Sequence, residues 1–98
     1  MAISLVWAFM EISEASKNKI VTLTFLLDHK KGVLSDVLTT IAHDSGSVLT
    51  INQGIPLQGV ANVTISIETI NLSVDLEALL DKLRMIDGVK RLDVLGQV

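Results

Sequence analysis

Alternating apolar and polar residues predict two of the strands directly. The segment from Ile20 to Leu27 is rich in β-branched and large apolar residues, which suit a half-buried strand. The segment from Val60 to Ile70 has the clearest alternation in the chain. The residues expected to face inward are Val21, Leu23, Phe25, Leu27, Ala61, Val63, Ile65 and Ile67. The residues expected on the opposite face are Thr22, Thr24, Asn62, Thr64, Ser66 and Glu68.

Two other segments follow the helical period of apolar residues. The first helix is expected from about Val33 to Asp44, and the second begins after Ser73. We predict that Ser73 caps the second helix, with Asp75 and Glu77 in its first turn favouring the helix dipole. The apolar stripes are Leu34, Val37, Leu38 and Ile41 in the first helix, and Leu76, Leu79, Leu80, Leu83 and Ile86 in the second. The expected helix stops are Ser45-Gly46 and Asp87-Gly88.

The order of these elements predicts the fold. Strands at Ser47 to Gln53 and at Val89 to Leu95 complete the order β-α-β-β-α-β, and the glycine-bounded segment Gly54 to Gly59 reads as a connection. Crossover connections of this kind are right-handed with few exceptions, so both helices are expected on the same sheet face. The predicted fold class is therefore α+β: a ferredoxin-like βαββαβ sandwich with a four-stranded antiparallel sheet, whose other face is open.

Composition indicates one domain with part of its surface covered. The chain has 98 residues, of which 49% are hydrophobic, and its mean hydropathy is +0.53. We divide it into an N-terminal apolar segment and linker, residues 1–18, and a domain, residues 19–98. A small domain this apolar is expected to bury surface against another chain. The residues expected to fold over part of the open sheet face, or over a partner, are Leu5, Val6, Trp7, Phe9 and Met10.

Charge and residue types exclude several classes of function. The net charge is −3, which argues against nucleic acid as a partner, and an RNA-recognition sheet would need aromatic residues where Thr and Asn stand. The chain has no cysteine, and His29 and His43 are too far apart in the predicted fold to suggest a metal site. Its apolar runs are too short to span a bilayer, and the N-terminus lacks a basic signal-peptide region. We expect a cytoplasmic protein with no membrane contact, no cofactor and no catalytic residues.

The loop between the first strand and the first helix, with the strands that follow, resembles a known family. The run from Asp28 to Val37, with Gly32 at its centre, resembles the opening of ACT domains, which are small regulatory modules that bind amino acids. The later segments are similar to the ACT-domain proteins labelled PheB, whose historical name is a monofunctional chorismate mutase. Proteins of that group carry a longer N-terminal region that resembles a helix-turn-helix. The similar segments are Val48–Gln53, Ile55–Gly59 and Ala61–Ile67, and the resemblance as a whole covers Lys19 to about Gly96.

The candidate site is the corner at Gly32. A helix that opens directly after this glycine has free backbone amides at the positive end of its dipole, which together favour an anion. The resemblance implies that two ACT domains pair side by side, with the ligand between the first loop of one and the second strand of the other. It implies that the corner's amides bind the ligand carboxylate and that Asp28 holds the loop or meets the ammonium group. It also implies that Asn52 offers its amide across the interface, with Gln53 a weaker candidate. The expected ligand-binding residues are Asp28, Lys31, Gly32, Val33, Leu34, Asn52 and Gln53.

Simpler interpretations of the same residues stay open. Gly32 could serve only as a turn glycine, and Asp28 could bond only to loop amides. Lys30 and Lys31 could strengthen an anion site, although two adjacent lysines more often form a solvated loop tip. The exposed residues of the second helix, Asp81, Lys82 and Arg84, are interpreted as a solvated face.

Three functions are therefore weighed. The first is a regulatory module that binds an amino acid, with Phe or another hydrophobic one as the first guess, in a homodimer or higher homo-oligomer. It would act alone or in trans on a biosynthetic enzyme. The second is an interaction or assembly module without a small ligand. The third is chorismate mutase, which is disfavoured because the reaction needs several cationic groups around a dicarboxylate. The only arginines, Arg84 and Arg91, are not expected at the Gly32 corner.

Overall fold

The computed structural model describes residues 19–97, which form one four-stranded antiparallel sheet and two helices. The sheet order is β2-β3-β1-β4, so the first and third strands are central. This arrangement confirms the predicted ferredoxin-like fold. The predicted cover formed by residues Leu5 to Met10 lies outside the described residues. The elements are β1 (Ile20–Asp28), α1 (Val33–His43), β2 (Ser47–Gln53), β3 (Val60–Glu68), α2 (Leu76–Arg84) and β4 (Val89–Gln97).

The core lies between the helices and one face of the sheet. Along β1, buried residues alternate strictly with partly exposed ones, because successive side chains of a strand point to opposite faces. All of the inward-facing residues predicted in the two central strands are buried. The helices contribute Val33, Val37 and Ile41 from α1, and Leu79, Leu80 and Leu83 from α2. On the open face, the Thr22 and Ser66 hydroxyl groups are hydrogen-bonded at 2.9 Å, so this face is polar at its centre.

The two edge strands are exposed and irregular. Every residue of β2 is exposed, and β4 buries only Leu92. Each edge strand contains register shifts: Leu49 is unpaired in β2, and Lys90 and Leu95 are unpaired in β4. The strand β4 also continues two residues beyond the prediction, because Gln97 still pairs with Val21. The strand β3 is shorter than predicted and ends at Glu68.

One prediction about the helix ends is wrong, and the predicted stop at Ser45-Gly46 is confirmed with a different role for its glycine. Ser73 does not cap α2, because the helix begins later, at Leu76, with Asp75 at the N-cap position. The Ser73 N–H instead donates to the Asp44 carbonyl at 2.9 Å. After α1, the left-handed residue is Ser45 (φ 66°) rather than Gly46. Gly46 is required for packing instead, since a Cβ there would lie 2.7 Å from Ile41 Cγ2.

Lys82 is exposed, as predicted for the solvated face of α2, but its head group forms an ion pair that was not predicted. Its Nζ donates to both carboxylate oxygens of Asp44, at 3.0 and 2.9 Å. Asp44 follows α1 directly and is 3% exposed, so this ion pair connects the end of α1 to α2. The neighbouring pair between Arg84 and Asp81, at 3.6 Å, is exposed as predicted.

Candidate functional site

Three loops meet where β1 ends. The Asp28 N–H donates to the Gly88 carbonyl in the α2–β4 loop, at 2.7 Å. The next amide, that of His29, donates to the Gly59 carbonyl in the β2–β3 loop, also at 2.7 Å. These two bonds hold the β1–α1 loop against both other loops. We call the place where the three loops meet the Gly32 corner, after the residue that ends the first of them.

Gly32 directs the chain from this loop into α1. It has φ 93° and ψ −17°, a left-handed conformation that glycine adopts without steric cost. Its carbonyl accepts the Asp36 N–H at 2.8 Å, which begins the helical hydrogen bonding. The residue is exposed, and a Cβ added to it would meet nothing within 4 Å. Glycine is thus required here by backbone conformation and not by packing.

Within residues 19–97, no side chain caps the N-terminus of α1. The Val33 N–H has only a long bond of 3.4 Å to the Lys30 carbonyl. The amides of Leu34 and Ser35 belong to the first turn, which has no intrahelical acceptor for them. The geometry therefore agrees with the predicted open helix N-terminus, whereas ligand binding there stays a prediction.

Gly88 fixes the position of the first residue of α1. It has φ 100°, and a Cβ there would lie 2.7 Å from Val33 Cγ2. The α2–β4 loop therefore packs closely on the buried Val33 side chain, beneath the first turn of the helix. The sequence pattern does not predict this contact, because it joins residues 55 positions apart and the Asp87-Gly88 pair indicates only a helix stop.

Asp28 is surrounded by lysines. Its side chain is 16% exposed, with the Lys30 Nζ at 3.7 Å from one carboxylate oxygen and the Lys90 Nζ at 3.6 Å from the other. Lys90 comes from β4 and was not expected at this place. The two cations support the alternative in which Asp28 holds the loop, because a ligand ammonium would have to compete with both of them.

Two of the predicted residues, Asn52 and Gln53, lie apart from Gly32 within one chain. Asn52 pairs in register with Thr64, and Gln53 pairs with Val63. Both belong to β2, which β3 separates from β1, so two interstrand spacings, roughly 10 Å, lie between their strands. Lys31 is exposed in the β1–α1 loop. The single chain therefore does not bring Asn52 to the corner, and a shared site would need a second copy.

Residues 19–97 offer little support for a metal site, a membrane-spanning helix or an arginine-lined site. This part of the chain holds no group of three or more His, Cys, Asp or Glu that could bind a metal ion. His43 lies in the last turn of α1, as predicted, and His29 lies in the loop before that helix. None of the helices in this range is long and apolar enough to cross a membrane. The two arginines lie on α2 and β4, not on the first turn of α1.

Fold and corner together define the class as a small ferredoxin-like βαββαβ domain. The sequence profile described as the ACT domain matches residues 16–93. This match spans most of the chain, and the chain therefore belongs to the ACT domain family.

Relatives from bacteria share this part of the sequence. The chain is 55% identical over 84 residues to the UPF0735 ACT domain-containing protein of Desulfitobacterium hafniense, covering 86% of the chain and 56% of that protein. It is 45% identical over 80 residues to the protein of the same description in Bacillus subtilis, covering 82% and 54%. The chain thus spans about half the length of the curated relatives it matches. These names do not show the resemblance to the PheB-labelled group or a chorismate mutase activity.

Solved structures support the fold alone. The ACT domain of the GTP pyrophosphokinase of Chlorobium tepidum superposes with a TM-score of 0.64 at 21% identity, covering 79% of this chain and 97% of that one. The ligand-free regulatory subunit of aspartate kinase from Thermus thermophilus gives a TM-score of 0.56 at 21% identity, covering 78% and 51%. The element order and sheet of this chain are therefore those of solved ACT domains.

Proposed function

We propose that this domain, residues 19–98, is a regulatory module that binds a free amino acid between two copies of the chain. The ligand carboxylate would lie on the first-turn amides of α1, and Asn52 of the second copy would bind from the other side. The observation that carries the proposal is the exposed, uncapped N-terminus of α1 at the Gly32 corner, in a chain of this family. The regulated activity belongs either to the rest of a longer protein or to a biosynthetic enzyme in trans.

The first half of the proposal rests on electrostatics at the α1 N-terminus. Backbone amides without acceptors and the positive end of the helix dipole both favour a carboxylate, by about 1 kcal/mol at an exposed end. Lys31, exposed in the same loop, adds a positive charge nearby. One helix end gives only weak binding of an anion, so groups from a second copy are needed for selective affinity.

The second half of the proposal, in which a second copy completes the site, rests on the exposed edge strand β2. β2 has all seven residues exposed, and three neighbouring apolar ones, Val48, Leu49 and Ile51, are more than a third exposed. A free, apolar strand edge is a surface that another strand can pair with. Pairing of β2 with β2 of a second copy would extend the sheet and bring Asn52 to the seam. The high mean hydropathy of the chain agrees with such a covered edge.

Thermal melting with each of the twenty amino acids at millimolar concentration tests the proposal. Ligand present at about 100 times its dissociation constant stabilises a protein by about 2.7 kcal/mol. For a domain of this size, that free energy raises the Tm by roughly 10 to 20 °C. We expect a hydrophobic amino acid such as Phe to give the largest shift. The proposal fails if none of the twenty raises the Tm.

The variant Asn52→Ala tests the shared geometry. Asn52 is exposed, so its loss should leave the Tm of the ligand-free protein unchanged while reducing the ligand-induced shift. Asn62→Ala is the matched control, because Asn62 is an exposed asparagine on the neighbouring strand β3. Equal ligand-induced shifts in both variants would contradict a role for Asn52.

An assembly module without a small ligand is the second candidate. Two apolar side chains of the β2–β3 loop, Ile55 and Leu57, are 86% and 71% exposed, and they extend the apolar surface of β2. This surface favours contact with a protein, since apolar patches of this kind mark interaction sites. A stable homo-oligomer that none of the amino acids affects would support this candidate over the first.

A further inference from the structure

An open groove of about 280 Å³ lies along β4, at the edge of the sheet opposite to β2. Four consecutive residues of β4, Val89 to Leu92, line it together with Arg84 of α2. Within residues 19–97, β4 pairs only with β1, so the backbone groups on its outer edge have no strand partner. The groove therefore follows a free strand edge.

The groove is lined by positive charge in an acidic protein. Three of its five lining residues are the cations Arg84, Lys90 and Arg91, and none is an acid, whereas the whole chain has a net charge of −3. Each cation has one carboxylate nearby but outside the lining, at 3.4 to 3.6 Å. The two arginine pairs are exposed on both sides, so they contribute little and leave most of the guanidinium donors available.

We propose that the β4 edge binds an extended acidic peptide segment of a partner protein. The peptide backbone would pair with the outer edge of β4, and its Glu or Asp side chains would bind Arg84 and Arg91. Addition of a strand to a free sheet edge is a known mode of peptide recognition, in which backbone bonds give affinity and side chains give specificity. Guanidinium groups suit carboxylates because they donate two parallel hydrogen bonds.

The shape of the groove favours a peptide over a small anion. Four strand residues extend over roughly 13 Å, which is longer than one carboxylate requires. The bulges at Lys90 and Leu95 interrupt regular pairing on this edge. Only Arg91 to Val94, between the two bulges, keep a regular register, so the edge suits a short peptide better than the whole of β4 from a second copy.

Fluorescence anisotropy with a labelled peptide of alternating Glu and Val tests the proposal on the full chain. We expect saturable binding that weakens as ionic strength rises, and much weaker binding of the same peptide with Lys in place of Glu. Hydrogen exchange with the Glu peptide should show protection of the amides in β4. Failure of the Glu peptide to bind, equal binding of both peptides, or protection outside β4 would each overturn the proposal.

The double variant Arg84→Gln, Arg91→Gln localises the binding. Two exposed charge contacts are lost, so affinity should fall by about tenfold. Lys31→Gln removes one positive charge at the Gly32 corner and should leave the peptide affinity unchanged. Circular dichroism melts verify that each variant is folded. Unchanged affinity in the folded double variant would show that the peptide binds elsewhere.

The amino-acid thermal shifts should be the same in the double variant and in the wild type, so this proposal and the proposed function can fail separately.

Discussion

At the scale of single residues, the Asp44–Lys82 pair connects the end of α1 to α2 through a buried carboxylate. The Asp44 carboxylate is buried, and both of its oxygens accept hydrogen bonds from Lys82. Removing the cation would leave the carboxylate buried without its charged partner, which costs about 2 kcal/mol. We therefore expect Lys82→Met to lower the free energy of unfolding by about that amount, as measured by urea denaturation.

Arg84→Met provides the control for this prediction. Arg84 lies two residues away on the same helix, and its ion pair with Asp81 is exposed and long. Its loss should cost less than about 0.5 kcal/mol. Equal stabilities of the two variants would mean that the Asp44–Lys82 pair contributes no more than an ordinary surface pair.

The glycines of the corner can be distinguished by the reason each is required. Gly59 and Gly88 both have positive φ, but only Gly88 faces a neighbouring side chain. Gly59→Ala should cost about 1 kcal/mol from backbone strain alone. Gly88→Ala should cost about 1 to 3 kcal/mol more, because its Cβ would overlap Val33. Urea denaturation measures both values.

A double-mutant cycle tests the cause of the second effect. Val33→Ala removes the methyl groups that the new Cβ would meet. The double variant Gly88→Ala, Val33→Ala should therefore be more stable than the sum of the two single effects predicts, by about 1 kcal/mol or more. Simple additivity would show that backbone strain alone explains the stability cost of Gly88→Ala.

The burial of residues along the central strands could be predicted from the sequence, whereas the ion pairs between distant residues could not. Burial along β1 and β3 follows from alternation alone, since the period of a strand is two. The contact between Asp44 and Lys82 joins residues 38 positions apart, and that between Lys90 and Asp28 joins residues 62 apart. No local pattern carries such pairings, because they depend on how the elements pack. The open N-terminus of α1, by contrast, follows from local turn chemistry at Gly32.

At the scale of elements, the two edge strands differ in what they can bind. β2 presents neighbouring apolar residues, and β4 presents cations around a groove. If β2 is the seam between copies, the variant Ile51→Lys should dissociate the oligomer, because it places a charge on an apolar strand edge. Ile51 is 45% exposed in the single chain, so the variant should remain folded. Light scattering after gel filtration measures the mass.

Val94→Lys is the matched control on the opposite edge. Val94 is 38% exposed and, like Ile51, lies on the helix-facing side of an edge strand. This change should leave the oligomeric state unaltered. Dissociation by Val94→Lys alone would place the seam at β4 and contradict the proposed geometry.

Element boundaries were predicted well where pattern and turn signals coincide. β2 was predicted to the residue, because a glycine turn precedes it and Gly54 follows it. The start of α2 was misplaced because Ser73 and Asp75 are both acceptable N-cap residues. In the folded chain Asp75 takes the N-cap position, with an extended backbone (φ −63°, ψ 148°) and a carbonyl that accepts the Leu79 N–H at 3.1 Å.

At the scale of the whole molecule, the described part contains a complete core with one sheet face open. The buried cluster draws on both helices and three of the four strands, all within residues 19–97. A chain truncated to begin at Lys17 should therefore still fold, with one cooperative transition in a circular dichroism melt. Non-cooperative melting would mean that residues 1–16 contribute to the core.

The same truncated chain tests whether the N-terminal segment covers a surface. The apolar residues predicted to do so, Leu5 to Met10, would shield part of the open face or of a partner from water. Loss of that cover should expose apolar surface, and such surface promotes association. We therefore expect the truncated chain to elute differently from the full chain on gel filtration, or to lose solubility. A folded truncated chain with unchanged elution and solubility would contradict the covering role. The open face, which is polar at the Thr22–Ser66 hydrogen bond, would then be a face that water can solvate without a cover.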